Sequence, residues 1–349
     1  MQQRFHAAFL PALALVLTGG VHGAPEQARR VGGSHLPAGQ VETILDFPAG
    51  SSPEGVAIDR RGNVLVGSRP SESGATTSEI LQIAPDGTVA VFAIINVAAD
   101  PEAPGLLGLA LDAPGDVYVA LASFNPSTHG VWQISRDGTT IVRVPGSQQI
   151  PFPNALAFGP RGHLYITDSA GGSIWRVGRD GIAHEWVRHA LLAPVDPNHP
   201  VLPPVGANGI TFSPPDRLYV ANTQRGLIAR IIIEPDGGPG PLDVVAEDFA
   251  LLTIDGIAAD VHGDIHGVVA GFGLLGTHPL VRIEPHTGTI APTPTMAEGF
   301  DVPLGIAFAA GPWDHRTLFV TNGALPVGIP GPGPGLVQAG VGVHGFMPR

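Results

Sequence analysis

Four side chains that carry oxygen ligands stand at the same place in four short, similar segments of this sequence. Each segment opens with the oxygen-bearing residue, continues with Gly or Ala, and then runs through aliphatic and small residues. The four opening residues are Glu54, Asn154, Asn208 and Asp255. Two carboxylates and two carboxamides form a ligand set for a hard cation such as calcium, which takes oxygen ligands and completes its shell with water. The pattern predicts one calcium site, with other divalent metals as alternatives.

The same residue types have a plainer use, because Asn, Asp and Glu before Gly often only shape a turn. For any one of the four residues alone, the turn is the better interpretation. Four oxygen ligands at one repeat position favour the metal site, since clustered oxygen donors mark such sites.

The elements that have to bring these residues together form an internal repeat. Six segments share the pattern, and their first residues are 53, 47, 54, 47 and 49 positions apart. A turn and a second apolar run follow each segment, and then a third run ends in a hairpin signal such as Asp86-Gly87. A repeat of about 50 residues with four strands is typical of a propeller blade. The sequence predicts an all-β fold, a six-bladed β-propeller with four strands per blade.

The first strand of each blade lines the central channel, so its opening residue is expected at one end of that channel. In ring order these residues are Glu54, Leu107, Asn154, Asn208, Asp255 and Leu304. A propeller has to close its ring or leave a bare strand edge. The apolar run over residues 41–47 resembles a fourth strand, and we expect this N-terminal strand to complete blade six. The Pro-rich segment over residues 189–205 is long enough to overhang the channel mouth.

Composition and charge exclude several classes of function. The chain has 349 residues, a net charge of −12 and no cysteine. The lack of cysteine excludes disulfides, thiolate metal sites and cysteine nucleophiles. The acidic balance argues against a nucleic-acid partner. We expect a monomer that acts on a small molecule.

The first residues resemble an export signal. Arg4 supplies positive charge, residues 7–17 form an apolar run, and small residues follow through Gly23. The run is too short to span a bilayer, and a buried N-terminal helix is the alternative. We expect a signal peptide over 1–23, an N-terminal extension over 24–40 and the propeller domain over 41–349. The mature protein is then secreted or periplasmic, with no membrane attachment after cleavage.

Short motifs around the four oxygen-bearing residues are similar to those of a known family. They are Pro53-Glu54-Gly55, Ala207 to Ser213 and Ile254-Asp255-Gly256, with support from Phe152-Pro153-Asn154 and Leu164 to Ser169. The resemblance, over residues 41–322, is to the senescence-marker-protein, gluconolactonase and luciferin-regenerating-enzyme family. That family belongs with the paraoxonases and diisopropylfluorophosphatase among calcium-dependent six-bladed propeller hydrolases. The resemblance implies metal ligands at Glu54, Asn154, Asn208 and Asp255, and a role for Asp255 as general base or acid.

One stretch departs from the sugar-lactone members of this family. Those members place polar residues, including Arg and Asn, just before the blade-two strand, where they hold sugar hydroxyls. Here the stretch reads Pro104-Gly105-Leu106-Leu107 and offers no hydroxyl-binding group. We expect a less polar lactone, ester or organophosphate, with Leu107 and Leu304 as apolar substrate contacts.

Further pocket candidates lie at the ends of second strands. Asp168 and Asn222 are substrate-binding candidates, and Asn322 holds the equivalent position. Turn capping is the favoured alternative for all three. His129 and His184 are candidate acids or bases, and a solvated surface position is the favoured alternative for both.

The hypothesis for function is metal-assisted hydrolysis of a lactone or related ester, with the ion as Lewis acid and Asp255 as base or nucleophile. The sequence has no Gly-x-Ser-x-Gly elbow, so a serine hydrolase is unsupported. One alternative is a non-catalytic secreted binding protein with a structural calcium. Another is a strictosidine-synthase-like enzyme that needs no metal, which would leave two channel carboxylates uncompensated.

Overall fold

The computed structural model describes residues 36–69, 76–97, 104–293, 299–324 and 331–346. The predicted signal peptide and the first part of the extension lie outside these residues. The described chain forms six four-stranded antiparallel sheets, together with one short helix, α1 (Phe272–Leu275). No helix within the described ranges is long and apolar enough to cross a membrane. The predicted six-bladed propeller is confirmed.

Blades one to five each consist of four consecutive strands, with the first strand innermost. Blade one contains β2 (Ser52–Ile58), β3 (Val64–Arg69), β4 (Thr77–Ile83) and β5 (Val89–Asn96). Blade two contains β6 (Gly105–Leu111), β7 (Val117–Ala122), β8 (Gly130–Ile134) and β9 (Ile141–Arg143). Blade three contains β10 (Pro153–Phe158), β11 (Leu164–Asp168), β12 (Ser173–Val177) and β13 (Ala183–Arg188).

The remaining blades follow the same plan until the ring closes. Blade four contains β14 (Ala207–Ser213), β15 (Arg217–Asn222), β16 (Leu227–Ile233) and β17 (Pro239–Glu247). Blade five contains β18 (Ile254–Ala259), β19 (Ile265–Val269), β20 (Leu280–Glu284) and β21 (Thr289–Pro292). Blade six contains β22 (Pro303–Phe308), β23 (Thr317–Asn322), β24 (Gly335–Gly340) and β1 (Val41–Asp46).

The ring closes through β1, as the sequence predicts. Val41 pairs with Ala339 and Asp46 with Gly335, so this N-terminal strand covers the outer edge of β24. The indole nitrogen of Trp313 also donates a 2.6 Å hydrogen bond to the carbonyl oxygen of Gly62, which joins blade six to blade one. Closure of this kind removes the bare edge that an open sheet would expose.

Buried side chains fill the spaces between neighbouring blades. Six apolar clusters are present among the described residues, and each one joins side chains of adjacent blades. In the cluster between blades two and three, Leu107 packs with Ile150 and Leu156. Strand residues alternate between the two faces of a sheet, so the second strand of each blade contributes to two clusters, and the burial of these side chains holds the ring together.

The glycine in the repeat pattern allows the inner strands to approach closely. A Cβ on Gly209 would lie 2.2 Å from the carbonyl oxygen of Asp255 in the next blade, and one on Gly305 would lie 1.9 Å from that of Glu54. Real Cβ contacts are never this short, so these positions admit no side chain without movement of the backbone. The repeated glycine therefore sets the narrow spacing of the channel.

The C-terminal segment lies against the far ends of two inner strands. Gly345 forms a bridge with Asp260, and the amide of Phe346 donates to the carbonyl oxygen of Ala259 at 2.9 Å. Phe346 also packs against the clusters that flank blade four. This segment is therefore at the opposite end of the channel from Asp255, which is the second residue of the strand that ends at Ala259.

Candidate metal centre

A β-bulge sits where each inner strand presents its opening residue. In blade one, Pro53 pairs with Ser68 and Val56 with Val66, so one extra residue is accommodated on the inner strand. Glu54 lies within this shift, and all six blades show it at the equivalent place. A bulge bends its strand and re-aims a side chain, which accounts for the direction of Glu54 into the channel.

The four predicted ligands meet at one cavity. A space of about 70 Å³ between the inner strands is lined by Glu54, Asn154, Asn208, Asp255 and Leu304 together with neighbouring backbone. Glu54, Asn154 and Asn208 are buried, and Asp255 is half-buried. About 10–15 Å³ of such volume is enough for one water molecule, so the cavity has room for an ion and several waters.

The two leucines at the same repeat position have different surroundings. Leu304 lines the cavity. Leu107 is only 2% exposed and packs between blades two and three, and it is not among the residues that line the cavity. Of the two apolar substrate contacts that we expected, the structure places only Leu304 beside the four ligands.

A hydroxyl group in blade three determines the orientation of the Asn154 amide. Ser169 Oγ donates its single proton to the carbonyl oxygen of Ala207 at 2.6 Å. Its 3.0 Å contact with Asn154 Nδ2 therefore has the amide as donor. Hydrogen-bond networks assign amide orientation in this way, and the Oδ1 atom of Asn154 is left as the remaining acceptor.

Blade four repeats this arrangement. Thr223 Oγ1 donates to the carbonyl oxygen of Ile254 at 2.7 Å and accepts from Asn208 Nδ2 at 3.0 Å. No described group donates to Oδ1 of either Asn154 or Asn208. Both carboxamide oxygens are thus free to act as ligands, which is the orientation that a hard cation requires.

Replacement of Ser169 by alanine tests this orienting role. Calcium affinity is expected to fall about 10–100-fold, because hydrogen bonds behind a metal ligand hold it in place. The free energy of unfolding is expected to fall by about 1–3 kcal/mol, since the carbonyl oxygen of Ala207 loses its donor. Ser169→Thr keeps the hydroxyl that Thr223 provides in blade four and should bind calcium like the wild type. Calorimetric titration with calcium measures both variants, and equal affinities for Ser169→Ala and wild type would contradict the role.

The two carboxylates of the cavity are costly to keep ionised. Burial raises the pKa of Glu54, and the Arg69 guanidinium offsets part of that shift. Burial also raises the pKa of Asp255 well above its usual range, and the negative charge of Glu54 raises it further, while Asn208 and Arg69 oppose the rise. Within the described chain, Arg69 is the one cation that acts on this pair of acids. When both acids are ionised, Arg69 leaves one negative charge uncompensated. A bound cation would offset this charge.

The sequence interpretation did not single out Arg69. Its Nη2 lies 3.3 Å from Glu54 Oε2. It follows Glu54 by 15 positions, the same separation as between Asn154 and Ser169. An alignment of the repeats at the second strand would have found it, because the arginine occupies the position from which Ser169 supports its ligand.

Asp168, a predicted substrate-binding residue, accepts hydrogen bonds from residues of its own blade. Its Oδ1 accepts from the amides of Phe152 and Gly171 at 3.1 and 2.9 Å, and its Oδ2 accepts from Ser173 Oγ at 2.8 Å. The side chain is fully buried and is not among the residues that line the cavity. Burial raises the pKa of Asp168, and the three hydrogen bonds oppose that shift. The surroundings are those of the turn-capping alternative.

Asn222 also contacts backbone rather than the cavity. Its Nδ2 donates to the carbonyl oxygens of Leu191 and Ala193 at 2.9 and 3.0 Å. These contacts tie the long segment over residues 189–205 to blade four, and no residue of that segment lines the cavity. Asn322, at the equivalent position of blade six, donates in the same way to the carbonyl oxygen of Gly299 at 3.1 Å.

The two histidines that we considered differ in exposure. His184 is solvated, with 64% of its side chain exposed and Asp180 at 3.0 Å. His129 is buried, so the surface position favoured for it is wrong. Its Nε2 lies 2.8 Å from the carbonyl oxygen of Ile150, and its Nδ1 accepts from the amide of Phe124 at 3.2 Å. Burial lowers the pKa of His129, and the ring links two loops rather than serving the cavity.

The described residues contain no cluster of three or more His, Cys, Asp or Glu side chains that would hold a metal ion. The cavity instead combines two carboxylates with two carboxamides. Such an all-oxygen set suits calcium, whose coordination is flexible, better than zinc or copper, which prefer nitrogen or sulfur. The residues present therefore fit a calcium ion.

Fold and site together define a six-bladed β-propeller with two carboxylates and two carboxamides at the end of its channel. Solved structures of similar fold include a Xanthomonas campestris gluconolactonase, with 16% identity, a TM-score of 0.61, and 93% of this chain and 99% of that chain covered. Another is the calcium-binding protein regucalcin from Agrobacterium tumefaciens, with 16% identity, a TM-score of 0.62, and coverage of 90% and 98%. A third is a luciferin-regenerating enzyme, with 14% identity, a TM-score of 0.61, and coverage of 88% and 97%.

These likenesses confirm, at the level of the fold, the resemblance that the motifs predict. No family model matches the sequence, and no curated protein matches it either. At identities of 14–16% the shared property is the arrangement of the chain, because one fold hosts many functions. Function therefore has to be inferred from the cavity.

Proposed function

We propose that this protein is a calcium-dependent hydrolase of a lactone or related ester, in which Glu54, Asn154, Asn208 and Asp255 hold the ion. The observation that carries the proposal is the convergence of four oxygen donors from four blades on one cavity. The names of two structures of similar fold, a gluconolactonase and a calcium-binding protein, support the same direction. The proposal includes export, since the N-terminal segment has the pattern of a signal peptide.

A calcium ion bound in the cavity supplies a Lewis acid for an ester carbonyl. Asp255 is the half-buried acid of the cavity, and its raised pKa makes its carboxylate a stronger base than an ordinary one. In one route, an oxygen of Asp255 takes a proton from the attacking water and returns it to the departing alkoxide, so that a lactone opens to a hydroxy acid. In the other route, the carboxylate attacks the carbonyl carbon and displaces the ring alkoxide, which takes a proton from water, and the hydroxide so formed cleaves the mixed anhydride to release the hydroxy acid and restore the Asp255 carboxylate.

The remaining residues of the site either orient the metal ligands or form an apolar wall. The hydroxyl groups of Ser169 and Thr223 hold the two amides, and Arg69 holds one oxygen of Glu54. Leu304 supplies an apolar wall at the cavity, which suits a substrate with few hydroxyl groups. These contacts are fixed before any ligand arrives, and such preorganisation is what lowers a barrier.

Removal of the metal tests the proposal. Purified protein is expected to hydrolyse lactones or aryl esters in calcium and to lose this activity in EDTA. Calcium at about 100 times its Kd should also stabilise the fold by about 2.7 kcal/mol. Titration of released acid measures the activity, and thermal unfolding measures the stability. Stabilisation without hydrolysis would favour a binding propeller with a structural ion, and hydrolysis that persists in EDTA would favour the metal-free alternative.

Calcium binding is expected to weaken as pH falls, beginning above the pH at which ordinary carboxylates titrate. The raised pKa values of Glu54 and Asp255 let protons compete with the ion. Without metal, the stability of the fold has the opposite dependence on pH. A carboxyl whose folded pKa is raised stabilises the fold below its unfolded pKa, and this contribution is lost as pH rises through the folded pKa.

The difference in melting temperature between calcium and EDTA samples is therefore expected to grow with pH. Thermal unfolding in both buffers across about pH 5–8 measures it. A difference that stays constant over this range would contradict ligation by Glu54 and Asp255.

A further inference from the structure

Arg69 contacts Glu54, one of the residues that line the cavity, although Arg69 itself is not among the lining residues. Its Nη2 is 3.3 Å from Glu54 Oε2, and its side chain is 22% exposed, against 10% for that of Glu54. Gly105 of blade two gives the arginine room, since a Cβ there would lie only 3.2 Å from Arg69 Cγ. The arginine side chain therefore packs against the start of blade two and is nearer to solvent than the carboxylate it pairs with.

The guanidinium has donors that the described protein leaves unused. Its Nε is sealed from solvent and has no hydrogen-bond partner. Its Nη1 makes no hydrogen bond with any described residue and is not among the sealed atoms, so it stays within reach of solvent. An arginine presents its donors in a rigid fork that matches the two oxygens of a carboxylate. The Nη1 end of this fork is open to an incoming anion.

The charges around the cavity favour such an anion. Glu54 and Asp255 carry two negative charges when ionised, and Arg69 carries one positive charge. A bound divalent cation would leave the site with one net positive charge. Charges interact more strongly in a partly buried site than in bulk water, so this net positive charge attracts a singly negative substrate.

We propose that Arg69 binds an anionic oxygen of the substrate, so that the site prefers lactones and esters with a carboxylate near the scissile bond. The inference rests on the proposed hydrolase function and extends it to a substrate class. Leu304, which lines the cavity, offers no hydrogen bond, and the two amides already donate to Ser169 and Thr223. The guanidinium is thus the cationic donor that remains for an anion.

A binding experiment without chemistry tests the inference. The probes are 3-oxocyclopentane-1-carboxylate and its carboxamide, which match a carboxylated lactone in shape and have a ring ketone in place of the scissile ester. In saturating calcium, wild-type protein is expected to bind the carboxylate at least about tenfold more tightly than the carboxamide. Arg69→Met should reduce this ratio to near one, and Arg69→Lys, which keeps the charge but loses the fork, should give an intermediate ratio. Calorimetry measures all three proteins.

Two controls accompany these variants. Arg230→Met removes an arginine that pairs with Asp243 at 2.8 Å outside the cavity, and it should keep the wild-type ratio. Thermal unfolding in calcium shows that Arg69→Met is folded, and a calcium titration shows whether it loads the ion. A ratio near one in wild type, or an unchanged ratio in folded, calcium-loaded Arg69→Met, would overturn the inference.

Hydrolysis of 5-oxotetrahydrofuran-2-carboxylate and its carboxamide separates this inference from the proposed function. A protein that binds calcium and hydrolyses both lactones equally contradicts only the role of Arg69. A protein that binds no calcium and hydrolyses neither contradicts the proposed function, and the preference for the anion falls with it. A preference for the carboxylate in kcat/KM that Arg69→Met abolishes supports both.

Discussion

Asp255→Asn is expected to lower the turnover of a lactone by a factor of about 100 or more, because general base catalysis contributes about 10²–10⁴ to a rate. The amide retains the shape of the side chain and an oxygen donor, but it cannot take a proton from water. The substitution also removes one of the two negative charges that face the cavity with Glu54. Turnover is measured at a calcium concentration that saturates the variant, as determined by calorimetry.

The control for this variant is a matched change in the same blade. Asp264 Oδ2 lies 3.6 Å from Arg282 Nη1, and neither residue lines the cavity. Asp264→Asn should therefore retain wild-type turnover and calcium affinity. If Asp255→Asn turns over lactone at the wild-type rate once it is saturated with calcium, the catalytic role of Asp255 is ruled out. The residue would then be a ligand alone.

Gly305→Ala is expected to destabilise the ring by about 3 kcal/mol, at the upper end of the usual cost of overpacking. The new Cβ would lie 1.9 Å from the carbonyl oxygen of Glu54 and 2.9 Å from Thr321 Oγ1. Thr321 Oγ1 also donates to the same carbonyl oxygen at 2.7 Å. The inner strands of blades six and one therefore have to separate, and Glu54 has to move with them. Urea unfolding measures the stability, and a calcium titration measures the displacement of the ligand.

A glycine with more space around it provides the comparison. A Cβ on Gly67, in the second strand of blade one, would meet Leu106 Cδ2 at an ordinary 3.5 Å. Gly67→Ala should leave the free energy of unfolding unchanged or slightly raised, because alanine has fewer unfolded conformations. Equal effects of the two substitutions would show that the close approach at Gly305 is not what limits the spacing of the channel.

The repeat made the ring predictable. Asp-Gly hairpins such as Asp86-Gly87 recur in the first four repeats, and apolar runs of strand length recur in all six. Gly87 has the positive φ of 86° that this turn needs. The pairing of residues 41–46 with β24 was also predictable, since the run had no partner in blade one and blade six lacked a fourth strand. Local signals suffice here because each blade repeats the same order of apolar runs and turns.

The surroundings of individual side chains were harder to predict. Leu107 and Leu304 share one repeat position, yet the first is buried between blades and only the second lines the cavity. His129 stands in a loop by sequence and is buried between the carbonyl of Ile150 and the amide of Phe124. These outcomes depend on neighbours that are distant in the chain, which a repeat pattern does not reveal.

The sequence by itself determined the number of blades, the order of the strands and the chemistry of the four residues at the channel. Only the tertiary structure decided which of their atoms are free. Bulges turn Glu54 and its counterparts inward, Ser169 and Thr223 take up the amide nitrogens, and Arg69 takes one carboxylate oxygen. The physical reason is that strand periodicity is a local property, whereas hydrogen-bond partners and desolvation arise only when separate blades close around a common axis.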